Sequence, residues 1–389
     1  MTTRARVPNG EVASQVEKSQ RKKANLKAFH STFRDPSGDV GNLPLQLFLE
    51  VTTRCNLLCQ KCLRNYSLDL KARDIPFSVV EQLGEFYEAA IQVNTFGFGE
   101  MFLYRDLARL VEILKKQGCK VTGITNGTMI SREDVAWMVR SHFDELTFSI
   151  DGATTETMRR LRGADLNRII EVLQFIKEEK NAQKVPVPRI VVNFVAQKDN
   201  LRELPDLVQL LSGLNIYFLG VNTLAHHLSS DSYMAFDKEH SLSNLSRKEV
   251  EGVLDIARSL AKNAGIELES YIDLDFEWSE LPVKISIGET SLESKPILPH
   301  FYCLYPWTTL YLAADMTTKV CCNNSADFGD CSEPKDLDRI WHASAMLTEV
   351  RNCIRKGMVH PACRPCVEQS HYATSHLELK KLERDAETM

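Results

Sequence analysis

Between residues 44 and 264, apolar β-prone runs alternate with helical patterns, and a chain built this way has few folds open to it. The strand candidates are Leu45–Val51, Asn94–Phe98, Lys120–Thr125, Glu145–Ile150, Arg189–Val195 and Ile216–Val221. Between them lie helical stripes. Ser78 is placed to cap one that carries Val79, Val80, Leu83, Phe86, Tyr87 and Ala90. Leu107, Leu110, Val111 and Leu114 mark the second, which Gly118 stops. Ser131 caps a third, with Val135, Met138 and Val139. Leu166, Ile169, Ile170, Leu173 and Ile176 mark a fourth, Leu204–Leu211 a fifth, and a helix at about 247–264 closes the series. Six strand–helix units in succession predict an α/β protein with a parallel sheet, closed as a partial (β/α)6 TIM-like barrel. In such a sheet the loops after the strands share one face, and ligands bind there.

Three cysteines occupy the first of those loops. Cys55, Cys59 and Cys62 are spaced C-x3-C-x2-C directly after the first strand. Three thiolates on one short loop can hold three corners of a 4Fe–4S cluster, and the fourth iron then lacks a protein ligand and is open to chemistry. Polar residues gather at the other strand ends: Gly97-Phe-Gly-Glu100, Thr125-Asn-Gly127, Ser149-Ile-Asp151, Asn193 and Asn222.

With 389 residues and 43% hydrophobic content, the chain exceeds one average domain. A net charge of −5 gives it no nucleic-acid-like character. No apolar run reaches the roughly 18 residues a membrane span needs. The N-terminus lacks a signal-peptide pattern, so the expected location is cytoplasmic. Eleven cysteines in a reducing compartment point to metal or catalysis over disulfides. Residues 1–43 read as a flexible basic arm, because eight Lys and Arg between Arg4 and Arg34 face only Glu11 and Glu17. The barrel spans 44–265, a linker 266–299, a cysteine-rich domain 300–372 and a charged tail 373–389.

Seven of the cysteines lie between residues 303 and 366. Cys363 and Cys366 form a C-x2-C knuckle, and Cys303 with one of Cys321 and Cys322 completes four ligands. Four thiolates suit either structural zinc or a fully ligated second 4Fe–4S cluster. Cys331, Cys353 and Cys119 read first as small buried hydrophobes. Each is also a candidate hydrogen-atom donor, and no other catalytic residue is evident. His226 and His227, after the sixth strand, read as polar linker.

Cys55-x3-Cys59-x2-Cys62 on a strand-one loop resembles the signature of the radical S-adenosylmethionine superfamily, over about residues 44–225. Gly97-Phe-Gly-Glu100 resembles its Gly-Gly-Glu motif, and Ser149 and Asp151 resemble its strand-four ribose contacts. Arg162-Gly163 resembles an Arg-Gly stretch of one large branch. Phe328-Gly-Asp330, Leu337-Asp-Arg-Ile-Trp341, Arg351 and Cys363-x2-Cys366 resemble that branch's auxiliary-cluster domain, called SPASM, or its shorter relative, Twitch. Three departures stand out. Lys61 replaces the usual aromatic before the third cysteine, which touches adenine. The usual glycine is missing from Met316-Thr-Thr318. No cysteine follows Cys366, which leaves ligands for one auxiliary cluster.

The resemblance implies that Cys55, Cys59 and Cys62 bind the cluster, and that the open iron chelates S-adenosylmethionine. Gly99 and Glu100 would meet its ammonium, Arg162 its carboxylate, and Ser149, Asp151, Asn193 and Asn222 the rest of the cofactor. Reductive cleavage would yield a 5′-deoxyadenosyl radical that abstracts hydrogen from an unactivated C–H. A flavodoxin- or ferredoxin-type protein would donate the electron. An auxiliary cluster with four ligands would carry electrons, which favours net oxidation over epimerisation. The expected substrate is a small polar metabolite such as a sugar or aminocyclitol, because the 43-residue arm is short for a leader-binding domain. Crosslinking or epimerisation of a ribosomally made peptide is the alternative. A non-catalytic zinc or iron–sulfur interaction protein is a third reading.

Overall fold

The structure is a computed structural model that describes residues 9–34, 40–66, 71–224, 231–272, 303–321, 327–356, 358–363 and 374–389. Its strands are β1 Gln46–Leu49, β2 Gln92–Asn94, β3 Lys120–Thr125, β4 Glu145–Ser149, β5 Arg189–Ala196, β6 Ile216–Thr223, β7 Glu267–Ser270, β8 Thr309–Leu312 and β9 Thr318–Lys319. They form one sheet in the order β7-β6-β5-β4-β3-β2-β1-β8-β9. Strands β1 to β6 lie side by side in chain order, every pair parallel, as the alternation predicts. The sheet is wider than the six strands expected. β7, inside the expected linker, adds parallel to β6. β8, inside the cysteine-rich segment, adds parallel to β1, with Gln46 opposite Thr309. An open β1 edge would expose unpaired N–H and C=O groups, and β8 covers it. All four β8 residues are buried. The C-terminal segment is thus built into the barrel sheet.

Helices pack on the sheet through the apolar stripes. The helix α2, Leu107–Lys116, buries Leu107, Leu110, Val111 and Leu114, each burial contributing about 1.5–3 kcal/mol. The helix α3, Arg132–Arg140, starts in a capping box in which Ser131 and Asp134 satisfy each other's backbone N–H. The first unit departs from expectation. Pro76, not Ser78, precedes a single turn at Phe77–Val80, and a second short helix runs Gly84–Ala89. A further helix, α4 Thr155–Arg162, precedes α5 Leu166–Gln183. The barrel ends with α6 Leu204–Leu211 and α7 Arg247–Ala264. After β9 come α8 Pro334–Ala343 and α9 Ala345–Arg355. Trp341 of α8 donates its indole N–H to Asn42 O at 2.6 Å, which ties this segment to the approach to β1.

The described segments 9–34 and 374–389 pack against the barrel floor, where the strands begin. The expected flexible arm is a helix over Asn9–Arg34, here α1. It buries Phe29 and Lys22, each about 1% exposed. Lys22 Nζ donates to Tyr87 O at 2.7 Å and to Ala90 O, and meets Cys119 Sγ at 3.5 Å. A basic side chain reads as a solvated one in sequence. Here helix-end and loop carbonyls supply the acceptors that let it be buried. The expected charged tail is α10, Thr374–Thr388. Its Asp385 pairs with Lys120, its Lys381 with Glu145 at 3.1 Å, and its Glu378 accepts from Gln46 at 3.3 Å. Those three partners open β3, β4 and β1, so α10 spans the strand starts. His30 of α1 faces Glu383 of α10 at 3.2 Å.

We expect Lys22→Ala to lower stability by about 1–3 kcal/mol, because two buried carbonyls lose a charged donor and keep only the weak Cys119 thiol. A thermal melt of the full chain checks this, and an unchanged midpoint would show that α1 does not hold the floor.

Candidate functional site

The rim where the strands end is shaped by two glycines. A Cβ on Gly99 would lie 2.2 Å from Thr52 O and 2.6 Å from Arg54 O. A Cβ on Gly97 would lie 2.3 Å from the Glu50 side chain. The loop after β2 therefore lies directly on the backbone that enters the cysteine loop, and Glu100 N donates to Arg54 O at 2.8 Å. Glu50, buried just after β1, accepts from Phe98 N at 2.9 Å and Ala314 N at 3.1 Å. Sequence reasoning missed Glu50, since nothing local marks a strand-end carboxylate that clamps two distant loops.

Glu100 is buried and accepts three hydrogen bonds. Its Oε1 takes Thr125 Oγ1 at 2.8 Å and Phe102 N at 3.3 Å, and its Oε2 takes Asn126 N at 2.7 Å. Burial raises its pKa, and these donors work against that rise. A carboxylate offers about four lone-pair sites, so one remains, on Oε2.

The three loop cysteines are outside any disulfide, with Cys59 buried and Cys55 and Cys62 partly buried. Burial raises the Cys55 and Cys62 thiols, while the N–H groups of Leu57 and Arg64 donate towards those sulfurs and lower them. Amides aimed at sulfur suit thiolates bound to iron, and metal binding would displace the protons. Among the described residues, no three His, Cys, Asp or Glu side chains close round a single metal ion. A cluster asks instead for thiols at separate corners, and this donor set fits one. Asn126 adds a contact that sequence reasoning did not single out. Its Nδ2 reaches Cys55 Sγ at 4.0 Å and Asn56 Oδ1 at 3.0 Å.

A buried ion triad crosses from the cysteine loop to the end of β4. Lys61 Nζ and Arg162 Nη1 both meet Asp151 Oδ2, each at 2.6 Å. The other oxygen accepts from Val195 N at 2.8 Å. Burial would raise Asp151, but Lys61 and Arg162 hold it at about 2. Burial lowers Lys61 to about 8, against the pull of Asp151. Burial works to lower Arg162 as well, and Asp151 outweighs it, leaving the guanidinium above its ordinary value. Arg162 is placed by α4, whose N-cap Thr154 accepts from Thr157 N and whose end turns through Gly163 at φ +72°. In that turn the Cys59 thiol meets Arg162 O at 3.6 Å, and Gln60 N donates to Leu161 O at 3.0 Å.

The structure brings Ser149, Asn193 and Asn222 to the same rim. Ser149 pairs with Asn193 in register, and Asn222 Nδ2 donates to Asn193 Oδ1. Cys303, Cys321 and Cys363 are each partly buried, whereas Cys322, Cys366, His226 and His227 lie outside the described residues. Cys119 sits just before β3, on the floor, across the sheet from the cysteine loop. Cys331 is buried, and that burial pushes its thiol up to about 11. Cys353 is buried on α9.

Residues 49–211 match the family described as the Radical SAM superfamily. The chain is similar to the tungsten-containing aldehyde ferredoxin oxidoreductase cofactor-modifying protein of Pyrococcus furiosus, 24% identical over 331 residues, spanning 82% of this chain and 86% of that one. It is 25% identical over 188 residues to the PqqA peptide cyclase of Bradyrhizobium diazoefficiens, a match that spans 48% of each chain. Among solved structures, Streptococcus suis SuiB bound to S-adenosylmethionine superposes with a TM-score of 0.58 at 16% identity, over 79% of this chain and 68% of that one. SuiB bound to its precursor peptide SuiA gives 0.57 at 17% identity, over 79% and 67%.

We expect Gly99→Ala to destabilise the chain by about 1–3 kcal/mol, because backbone atoms cannot yield to the added methyl. Gly252→Ala, inside α7 with nothing within 4 Å of the added methyl, should stabilise by about 0.5–1 kcal/mol. Parallel denaturant titrations check both signs, and a neutral Gly99→Ala would contradict the close packing.

Proposed function

Residues 49–211 make this chain a member of the radical SAM superfamily, whose cofactors are a 4Fe–4S cluster and S-adenosylmethionine, and from that premise we propose that it matures a peptide substrate. Bound together, the cofactors supply a carbon-centred radical that removes a hydrogen atom from an unactivated C–H. The observation that carries the reading is the cysteine loop itself. Its Cys55 and Cys62 thiols are met by backbone N–H groups, its Cys59 thiol meets Arg162 O, and a buried carboxylate, Glu100, stands beside it.

The residues divide the work. Cys55, Cys59 and Cys62 would hold three irons. The remaining lone pair on Glu100 Oε2 would accept from the methionyl ammonium, a contact of about 1.5–3 kcal/mol. Arg162 has a buried Nε–H without a partner among the described residues, which suits a carboxylate. Ser149, Asn193 and Asn222 would hold the ribose and adenine side. Asp151 has most of its acceptor capacity taken by Lys61, Arg162 and Val195, so it would orient the loop more than the ribose. Cys303, one of Cys321 and Cys322, Cys363 and Cys366 would ligate one auxiliary 4Fe–4S cluster that exchanges an electron with the substrate radical, while a flavodoxin- or ferredoxin-type donor would reduce the cluster on the Cys55 loop.

The comparisons support a peptide over the small metabolite that the short arm favoured in sequence. One relative is named a peptide cyclase, and a similar structure holds a precursor peptide. The rim also leaves apolar side chains for a peptide to cover: Leu58 at 76% exposure, Phe98 and Met129, on the loops after β1, β2 and β3.

Anaerobic reconstitution tests the class. We expect a brown protein that yields 5′-deoxyadenosine and methionine under reductant, and no cleavage from Cys55→Ala, Cys59→Ala or Cys62→Ala. A colourless zinc-loaded protein would sink the enzyme reading. Incubation with short peptides encoded beside its gene should remove hydrogen from a peptide, read by mass spectrometry. Turnover of a sugar, with no peptide modified, would return the reading to the metabolite. Cys363→Ala should keep cofactor cleavage but lose product.

A further inference from the structure

Lys61 lies between two of the loop cysteines, and its ammonium is buried among charges instead of in water. The side chains of Lys61, Arg162 and Asp151 are 12%, 11% and 0% exposed. Two cations share one carboxylate, so the triad carries one surplus positive charge. The triad lies against the cysteine loop: the Cys59 thiol meets Arg162 O at 3.6 Å, and Gln60 N, beside Lys61, donates to Leu161 O at 3.0 Å. Glu100 also feels Arg162, but its hydrogen bonds come from neutral donors, Thr125, Asn126 and Phe102. Lys61 Nζ makes no well-aligned hydrogen bond among the described residues. Asp151 divides its single negative charge between Lys61 and Arg162, so part of their positive charge is left uncompensated beside the loop.

A cluster that accepts an electron gains negative charge. A buried cation favours that state more strongly than an exposed one, since water screens it less. We propose that Lys61, held by Asp151, is a positioning residue that raises the reduction potential of the cluster bound by Cys55, Cys59 and Cys62. The proposal rests on the cluster reading above. It gives the lysine at this position an electrostatic role. Asp151 moderates the effect from the other side, because its negative charge offsets part of the pair's field.

The test is a potentiometric titration of the full chain, anaerobically reconstituted, followed by the EPR signal of the reduced cluster. Lys61→Met and Lys61→Gln should move the midpoint potential to more negative values. Lys61→Arg should restore it, and Asp151→Asn should move it the opposite way. Shifts of one sign in Lys61→Met and Asp151→Asn, or no shift in any variant, would overturn the proposal. Cluster loss in all the neutral variants, with the fold intact by circular dichroism, would also overturn it, because the pair would then serve only to hold the loop. Wild-type protein that takes up no iron would instead defeat the cluster reading.

Discussion

Two backbones in contact set the geometry of the rim. The loop after β2 presses on the chain entering the cysteine loop so closely that Gly99 has no room for a methyl group. That contact fixes where the cysteine loop starts. It also sends Glu100 inward, where Thr125 and Asn126, at the end of β3, close on it. Three consecutive strand ends are thereby joined by protein contacts. The parallel sheet makes this possible, because strands running one way deliver their loops to one face.

Two buried acids at this rim are stabilised differently. Glu100 relies on neutral donors, which offset the penalty of burial only in part, so its pKa rises. Asp151 relies on two cations and a backbone N–H, and its pKa falls. A group of the first kind keeps capacity for an incoming ammonium. A group of the second kind is spoken for, and it acts by holding others in place. Strand-end position alone makes the two acids look equivalent.

Local signals were legible in the sequence, and long-range pairings were not. The stripe of Leu107, Leu110, Val111 and Leu114 gave a helix, and Ser131 gave its capping box, because both depend on neighbours three or four residues away. Ser78 misled, since Pro76 starts the turn and the stripe breaks before Gly84. The cysteine loop was legible because its spacing is itself the chemistry. The docking of α1 was not, because a buried Lys22 depends on carbonyls 65 and 68 residues away. Nor was the Lys61–Asp151 pair, whose members belong to loops after different strands. Glu50 is the same case, with one of its partners at Ala314.

The pairing of β1 with β8 has a consequence during synthesis. Leu49 leaves the ribosome long before Leu312, its register partner. At translation rates of about 5–20 residues per second, the gap is roughly 13–50 s. Throughout that time the nascent barrel has an uncovered flank next to the very loop that would receive iron, and sheet edges of that kind invite pairing with other chains. A newly made molecule is therefore most vulnerable to clumping before its cysteine-rich end emerges. Expression hosts that slow translation late in the message would lengthen that exposure.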